Sequence, residues 1–191
     1  MKRLVIYYSN SGNTKRVAEY IAYKINADIA EIKPLKSFPQ ERSQLMRKGC
    51  FQVFFNVKPS VVGVPDNIYE YDEIILGSPI WADSVASIVN SFLYRYDVKD
   101  KIVGLFVTSG SGHGERCIKK LSKRLKNLRY SVSLIGGAKH STELEDFINK
   151  LNLLGIKYTK VDDAFYEELE EILPEQVALN LHEFLIQKDE Y

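Results

Sequence analysis

The chain has 191 residues, 45% hydrophobic and 27% charged, with a formal net charge of +1. Its apolar content suffices for one buried core, and the near-neutral balance speaks against a nucleic-acid binder. The longest apolar runs fall well short of the ~20 residues that cross a bilayer, and no linker or internal repeat interrupts the pattern.

The first apolar run, Leu4-Val5-Ile6-Tyr7, predicts a buried strand over 3–8. That strand begins too early to leave room for a signal peptide, so we expect a cytoplasmic protein. Tyr8-Ser9-Asn10-Ser11-Gly12-Asn13-Thr14 follows and leads into a segment where Val17, Ala18, Ile21, Ala22 and Ile25 recur at helical spacing. The first amides of a helix have no intrahelical acceptor, and the helix dipole makes that end positive, so a hydroxyl-rich loop placed there suits an anion. Ser9, Ser11 and Thr14 offer hydroxyls, Asn10 and Asn13 offer amides, and Gly12 lets the backbone close in or take a positive φ. The plainer alternative is a capped turn in which Ser11 or Asn13 merely starts the helix. The density of donors after a buried strand favours a phosphate cradle. It is neither a G-x-x-x-x-G-K-[ST] loop nor a G-x-G-x-x-G loop.

A second strand is expected over 28–32. The third, Glu73-Ile74-Ile75-Leu76, runs into Gly77-Ser78-Pro79-Ile80-Trp81-Ala82-Asp83, which reads as a polar loop opening a helix over Val85 to Tyr94. In that helix Val85, Ile88, Val89, Phe92 and Leu93 form the apolar stripe. Trp81, the only tryptophan, is either packed under its own loop or placed to stack on a planar ligand and exclude water from it. A fourth strand over 102–107 ends in Thr108-Ser109-Gly110-Ser111-Gly112-His113-Gly114, where three glycines permit close backbone approach and Ser109 and Ser111 add donors. His113 is placed either to donate to a ligand or to face solvent.

A basic helix is expected from Glu115 to Leu128, with Lys119, Lys120, Lys123, Arg124 and Lys126, and Arg129 just beyond. Interspersed charge of this kind suits a solvated face or the steering of an acidic protein partner. A fifth strand is expected over 131–136. Strands alternating with helices imply a parallel sheet with helices on both faces. Residues 155–191 predict two helices broken by Pro174, whose apolar Leu169, Ile172, Val177, Leu181, Phe184 and Leu185 dock on the same domain or supply a homodimer interface. Cys50 and Cys117 form no close-spaced pair and read as free thiols, and the three histidines have no ligand-spaced partners, so no metal site is expected.

Ser9-Asn10-Ser11-Gly12-Asn13-Thr14 resembles the FMN phosphate loop of the flavodoxin family. Gly77-Ser78-Pro79-Ile80-Trp81 is similar to the loop of a short-chain branch whose aromatic covers one face of the flavin, and the Gly-rich third loop matches the one that bonds the polar edge of the isoalloxazine. The resemblance implies an α/β, flavodoxin-like, doubly wound five-stranded sheet of order 2-1-3-4-5, with a domain over 1–154 and a helical extension over 155–191. It implies FMN as cofactor, held by residues 9–14, by Ser78, Pro79, Ile80, Trp81 and Ala82, and by Ser109, Gly110, Ser111, Gly112, His113 and Gly114. Residues 37–67, with Phe38, Phe51, Phe54 and Phe55, are then an ordinary crossover or a flap beside the flavin.

The resemblance implies an electron carrier between redox partners. Alternatives are an FMN-dependent NAD(P)H reductase of quinones or other small acceptors, and a flavin-free module binding another phosphate ligand or a partner. Family carriers are typically strongly acidic and commonly place glycine where Ala82 stands here.

Overall fold

A computed structural model describes residues 1–36, 42–111, 113–138 and 141–155. The expectations for Phe38, for Gly112 and for the extension beyond residue 155 lie outside the described residues.

The elements in chain order are β1 (Arg3–Tyr7), α1 (Asn13–Lys24), β2 (Asp28–Glu31), β3 (Lys33–Pro34), α2 (Arg42–Phe54), β4 (Val61–Val62) and a 3-10 turn at Ile68–Glu70. They continue with β5 (Glu73–Trp81), β6 (Ser84–Val85), α3 (Ser87–Arg95), β7 (Ile102–Ser109), α4 (Glu115–Ser122), β8 (Tyr130–Ile135) and α5 (Thr142–Gly155). The five long strands are parallel and lie in the order β2-β1-β5-β7-β8, which is the 2-1-3-4-5 arrangement that the resemblance implies.

Alternating side chains divide the core into two layers, because successive residues of a strand face opposite sides of the sheet. Leu4, Ile6, Ile74, Leu76, Leu105 and Val107 pack with Ile88, Val89, Phe92 and Leu93 of α3 and with Cys117 and Leu121 of α4. Val5, Tyr7, Ile75 and Phe106 pack on the opposite side with Val17, Ala18, Ile21 and Ala22 of α1 and with Leu144, Phe147, Ile148 and Leu151 of α5. The apolar stripes expected on the first and third helices are therefore the surfaces that these helices bury. The buried Arg3 guanidinium bonds Glu73 at 3.0 Å and donates to the Leu151 carbonyl at 2.8 Å, tying β1, β5 and α5 together at the end of the sheet where β1 begins.

Three boundaries differ from expectation. Residues 77–81 continue β5 rather than forming a loop, and Ala82-Asp83 turn the chain back so that Trp81 pairs with Ser84 and Ile80 with Val85. Both turn residues have positive φ, 46° and 55°, as a two-residue hairpin requires; Val85 thus belongs to β6, and the helix starts at Ser87. The basic helix stops at Ser122, whose hydroxyl donates to the Lys119 carbonyl, and the chain continues in i→i+3 turns at Arg124 and Leu125. Lysines and arginines at i and i+4 repel one another and give the helix no reason to run on. The long second crossover contains α2 and also a short antiparallel ribbon in which Lys33 pairs with Val62 and Pro34 with Val61.

Two substitutions should have opposite signs in urea unfolding. A Cβ at Gly77 would sit 2.2 Å from Phe106 Cζ between two buried strands, so Gly77→Ala should lose ~1–3 kcal/mol by overpacking. At Ala82, whose φ is 46°, a left-handed L-residue costs ~1–2 kcal/mol, part of which Ala82→Gly should recover.

Candidate functional site

In a parallel sheet the strand ends that carry loops line one edge, and a crevice opens where successive connections leave in opposite directions. Here β1 is flanked by β2 on one side and β5 on the other. The Tyr8 amide donates to the Gly77 carbonyl at 3.2 Å, Pro79 lies in register with Thr108, and Ser109 with Ile135. The loops after β1, β5, β7 and β8 are thereby brought to one edge.

The first loop ends at Gly12, which adopts φ 83° and ψ −10° immediately before α1, and no side chain caps the helix start. The capped-turn reading therefore does not describe this helix: Asn13 Oδ1 instead accepts a bond from Arg16 Nη2 at 2.5 Å. Ser9 Oγ is buried and has no hydrogen-bond partner among the described residues. Thr14 is fully buried, its hydroxyl 2.8 Å from that of Thr108, so the loop is fastened to the end of β7. Asn10 and Ser11 are exposed. The first turn of α1 holds Lys15 and Arg16 and no acidic residue, although a helix N-terminus favours anions over cations. Lys15 is offset by Glu19 at 3.9 Å. Arg16 turns back toward the loop and packs beside Gly137, where a Cβ would lie 2.9 Å from its Nε. Uncapped amides, a buried unpartnered hydroxyl and a guanidinium together suit a dianion.

The hairpin forms the second wall. Trp81 is half-buried and meets Tyr8 edge-on, with ring centroids 5.7 Å apart. Gly49 of α2 presses on the indole, since a Cβ there would lie 3.0 Å from Trp81 Cε3. Gln52, one turn along α2, accepts a 2.6 Å bond from Ser87, so the crossover helix is tied to α3 and lies against the hairpin. Ser78 has a structural role: its buried hydroxyl donates to the Pro79 carbonyl and accepts from the Ala86 amide at 3.1 Å, holding the hairpin to the start of α3. Pro79 and Ile80 are half-buried, and Ala82 is exposed at the turn.

In the third loop Ser109 ends β7 and its carbonyl accepts from the Gly136 amide at 2.7 Å. Gly110 stands in open space, Ser111 is exposed, and His113 donates from Nδ1 to the Ser111 carbonyl at 2.8 Å. Gly114 is a packing glycine, for a Cβ there would meet Ser133 Oγ at 2.2 Å. Sequence reading missed Thr108, Arg16 and the Gly136-Gly137 pair after β8. The last had a legible signal, the fifth strand ending in glycines; the first two depend on contacts between distant segments.

Burial, followed by Glu31 and Glu19, pushes the Tyr7 phenol up to about 12, and burial with Glu31 raises Tyr8 further. Both stay neutral at physiological pH, so neither repels an anion. Cys117 is buried and its thiol is pushed up to about 11, while Cys50 is exposed. Among the described residues no group of three His, Cys, Asp or Glu could hold a metal ion, and no helix is long and apolar enough to cross a membrane.

The family model for flavodoxin matches residues 2–151. A flavoprotein from Bacteroides eggerthii superposes with a TM-score of 0.62 at 24% identity, covering 82% of this chain and 99% of its own. One from Bacteroides uniformis gives 0.62 at 23% identity, covering 82% and 98%. A flavoprotein from Lactobacillus acidophilus, solved in complex with FMN, gives 0.59 at 25% identity, covering 69% and 91%. With its strand order, its loop cluster and a family match over most of its length, the chain belongs to the flavodoxin family.

Proposed function

We propose that the protein binds FMN at the sheet edge and carries electrons between redox partners in the cytoplasm. The observation that carries this reading is the buried, unpartnered Ser9 hydroxyl beside the uncapped start of α1. A buried hydroxyl left unbonded costs ~1–3 kcal/mol, and a phosphate on this loop removes that cost. The flavoprotein from Lactobacillus acidophilus that holds FMN has the same fold, which supports FMN as the phosphate's bearer.

The residues divide the work. The amides of Gly12 to Thr14 with Ser9 take the phosphate, and Thr14 holds the loop to β7 through Thr108. Trp81 covers an isoalloxazine face and excludes water, fixed from behind by Gly49. Backbone groups of 109–111 bond the ring's polar edge. Bound FMN supplies the redox chemistry, and the protein sets its potential through stacking, hydrogen bonds and nearby charge.

A second reading, an FMN-dependent reductase of quinones or other small acceptors, is favoured by one feature. Ala82, rather than glycine, occupies the left-handed turn, so a change of peptide orientation that accompanies flavin reduction is restricted at this position.

The visible spectrum tests the cofactor: the purified protein should be yellow or turn yellow with FMN, and a colourless protein that takes up no flavin sinks both readings. Photoreduction then separates them. A distinct absorption band at half-reduction fits the carrier; direct passage to the fully reduced form with NADPH-dependent quinone turnover fits the reductase.

Thr14→Ala should weaken FMN far more than riboflavin, which lacks the phosphate, and equal losses would remove the loop from the phosphate site. Trp81→Ala should weaken FMN by ~1–3 kcal/mol, the range for lost stacking. Ser9→Ala should leave the flavin-free protein as stable as the parent or stabler in urea unfolding, yet weaken FMN by ~0.5–1.5 kcal/mol, the net worth of one hydrogen bond.

A further inference from the structure

The hairpin tip that carries Trp81 is held by α4. Arg116 Nη1 lies 3.4 Å from Asp83 Oδ2, and Lys120 Nζ donates to the Asp83 carbonyl at 3.0 Å. From that anchor a row of cations follows the helix: Arg116, Lys119, Lys120 and Lys123 stand at i, i+3, i+4 and i+7, all exposed, a spacing that puts them on one face. Arg124 extends the row and donates to Asn90 Oδ1 at 2.8 Å.

Among the described residues little counter-charge faces this row. The Asp83 carboxylate pairs with Arg116, Glu115 is the acid in the first turn, and Lys119, Lys120 and Lys123 have no carboxylate within ion-pair distance among the described residues. The C-terminal dipole of α4 accounts for Lys119 and Lys120. It does not account for Arg124, past the C-cap Lys123, nor for like charges at i,i+4 (Arg116 with Lys120, Lys119 with Lys123), which destabilise an isolated helix. With a formal net charge of only +1, this row is a local cluster of like charge and not the mark of a basic chain.

We infer that this stripe is the docking surface for an acidic redox protein, whose carboxylates pair with Lys119, Lys120 and Lys123 and bring its redox centre to the Trp81 hairpin. The inference rests on the FMN reading. It sets the sign of partner charge opposite to that of an acidic carrier with basic partners. One electron leaves the partner's reduced centre and is taken up at the flavin site; no bond forms or breaks.

The test uses the FMN-loaded protein, with flavin content measured spectrophotometrically in every variant, so that failure of flavin binding is seen separately from failure of docking. The probe is a reduced, strongly acidic two-iron ferredoxin, mixed in a stopped-flow cell with the parent, with Lys119→Glu/Lys123→Glu and with the milder Lys119→Gln/Lys123→Gln. The parent's second-order rate should fall at least ~10-fold from low salt to ~0.3 M, as expected for steered association. At low salt the Glu variant should be slower than the parent by a similar ~10-fold and nearly insensitive to salt, with the Gln variant between them. With basic cytochrome c as acceptor from the photoreduced protein, the order of the variants should reverse.

Flavin-loaded variants that keep the parent's ferredoxin rate and salt slope overturn the proposal. So does a stripe that binds a random-sequence oligonucleotide tightly while the ferredoxin rate ignores Lys119 and Lys123, which assigns it to nucleic acid.

Discussion

The parallel pairing of β1 with β5 is the constraint on which the rest of the molecule depends. Its register, Arg3 with Glu73 through Tyr7 with Gly77, sets two chemically different loops side by side at one end and the buried Arg3–Glu73 pair at the other. The pairing can lie flat against its neighbour only because Gly77 yields to the Phe106 ring. Burying an ion pair is expensive unless its partners are well placed. Here the Leu151 carbonyl takes a further guanidinium bond, so the register is tied to the docking of α5 as well. A slip of one residue would exchange the two faces of β1 and place Leu4 and Ile6 where Val5 and Tyr7 belong.

From that pairing follows the division of labour at the loop edge. The β1 loop is polar, begins an uncapped helix and gathers cations; the β5 hairpin is apolar and aromatic. A ligand with a dianionic end and a flat apolar end meets complementary surfaces in both. Thr14 with Thr108 and Ser78 with Ala86 fasten these walls to the sheet, which limits the ordering that binding itself must impose. The α4 cations then stand next to the hairpin through two contacts with Asp83, so the charge that would guide a partner and the aromatic wall of the site are mechanically joined.

The sequence by itself determined the order of the five long strands along the chain and the places where the β1 and β7 loops begin, because apolar runs and helical stripes record burial directly. The helix faces of α1 and α3 are the ones their spacing indicates, and Gly12 takes the left-handed conformation for which glycine is suited. It also contained the motif residues that mark the flavodoxin family, since the donor chemistry of residues 9–14 is local. What it could not contain were contacts between segments far apart in the chain. Trp81 reads as a loop residue, yet the pairing of Ile80 with Val85 makes it the last residue of a strand.

Ser78 reads as a ligand-binding residue, yet its hydroxyl is consumed by Pro79 and Ala86; Gly114 reads as a glycine that lets the backbone approach a ligand, yet it is where α4 meets Ser133. Only the tertiary structure decided which of these donors is left over. Ser9 is, because no acceptor or donor among the described residues reaches it, and Thr14 is not, because Thr108 is brought to it by a sheet that neither residue's neighbours encode.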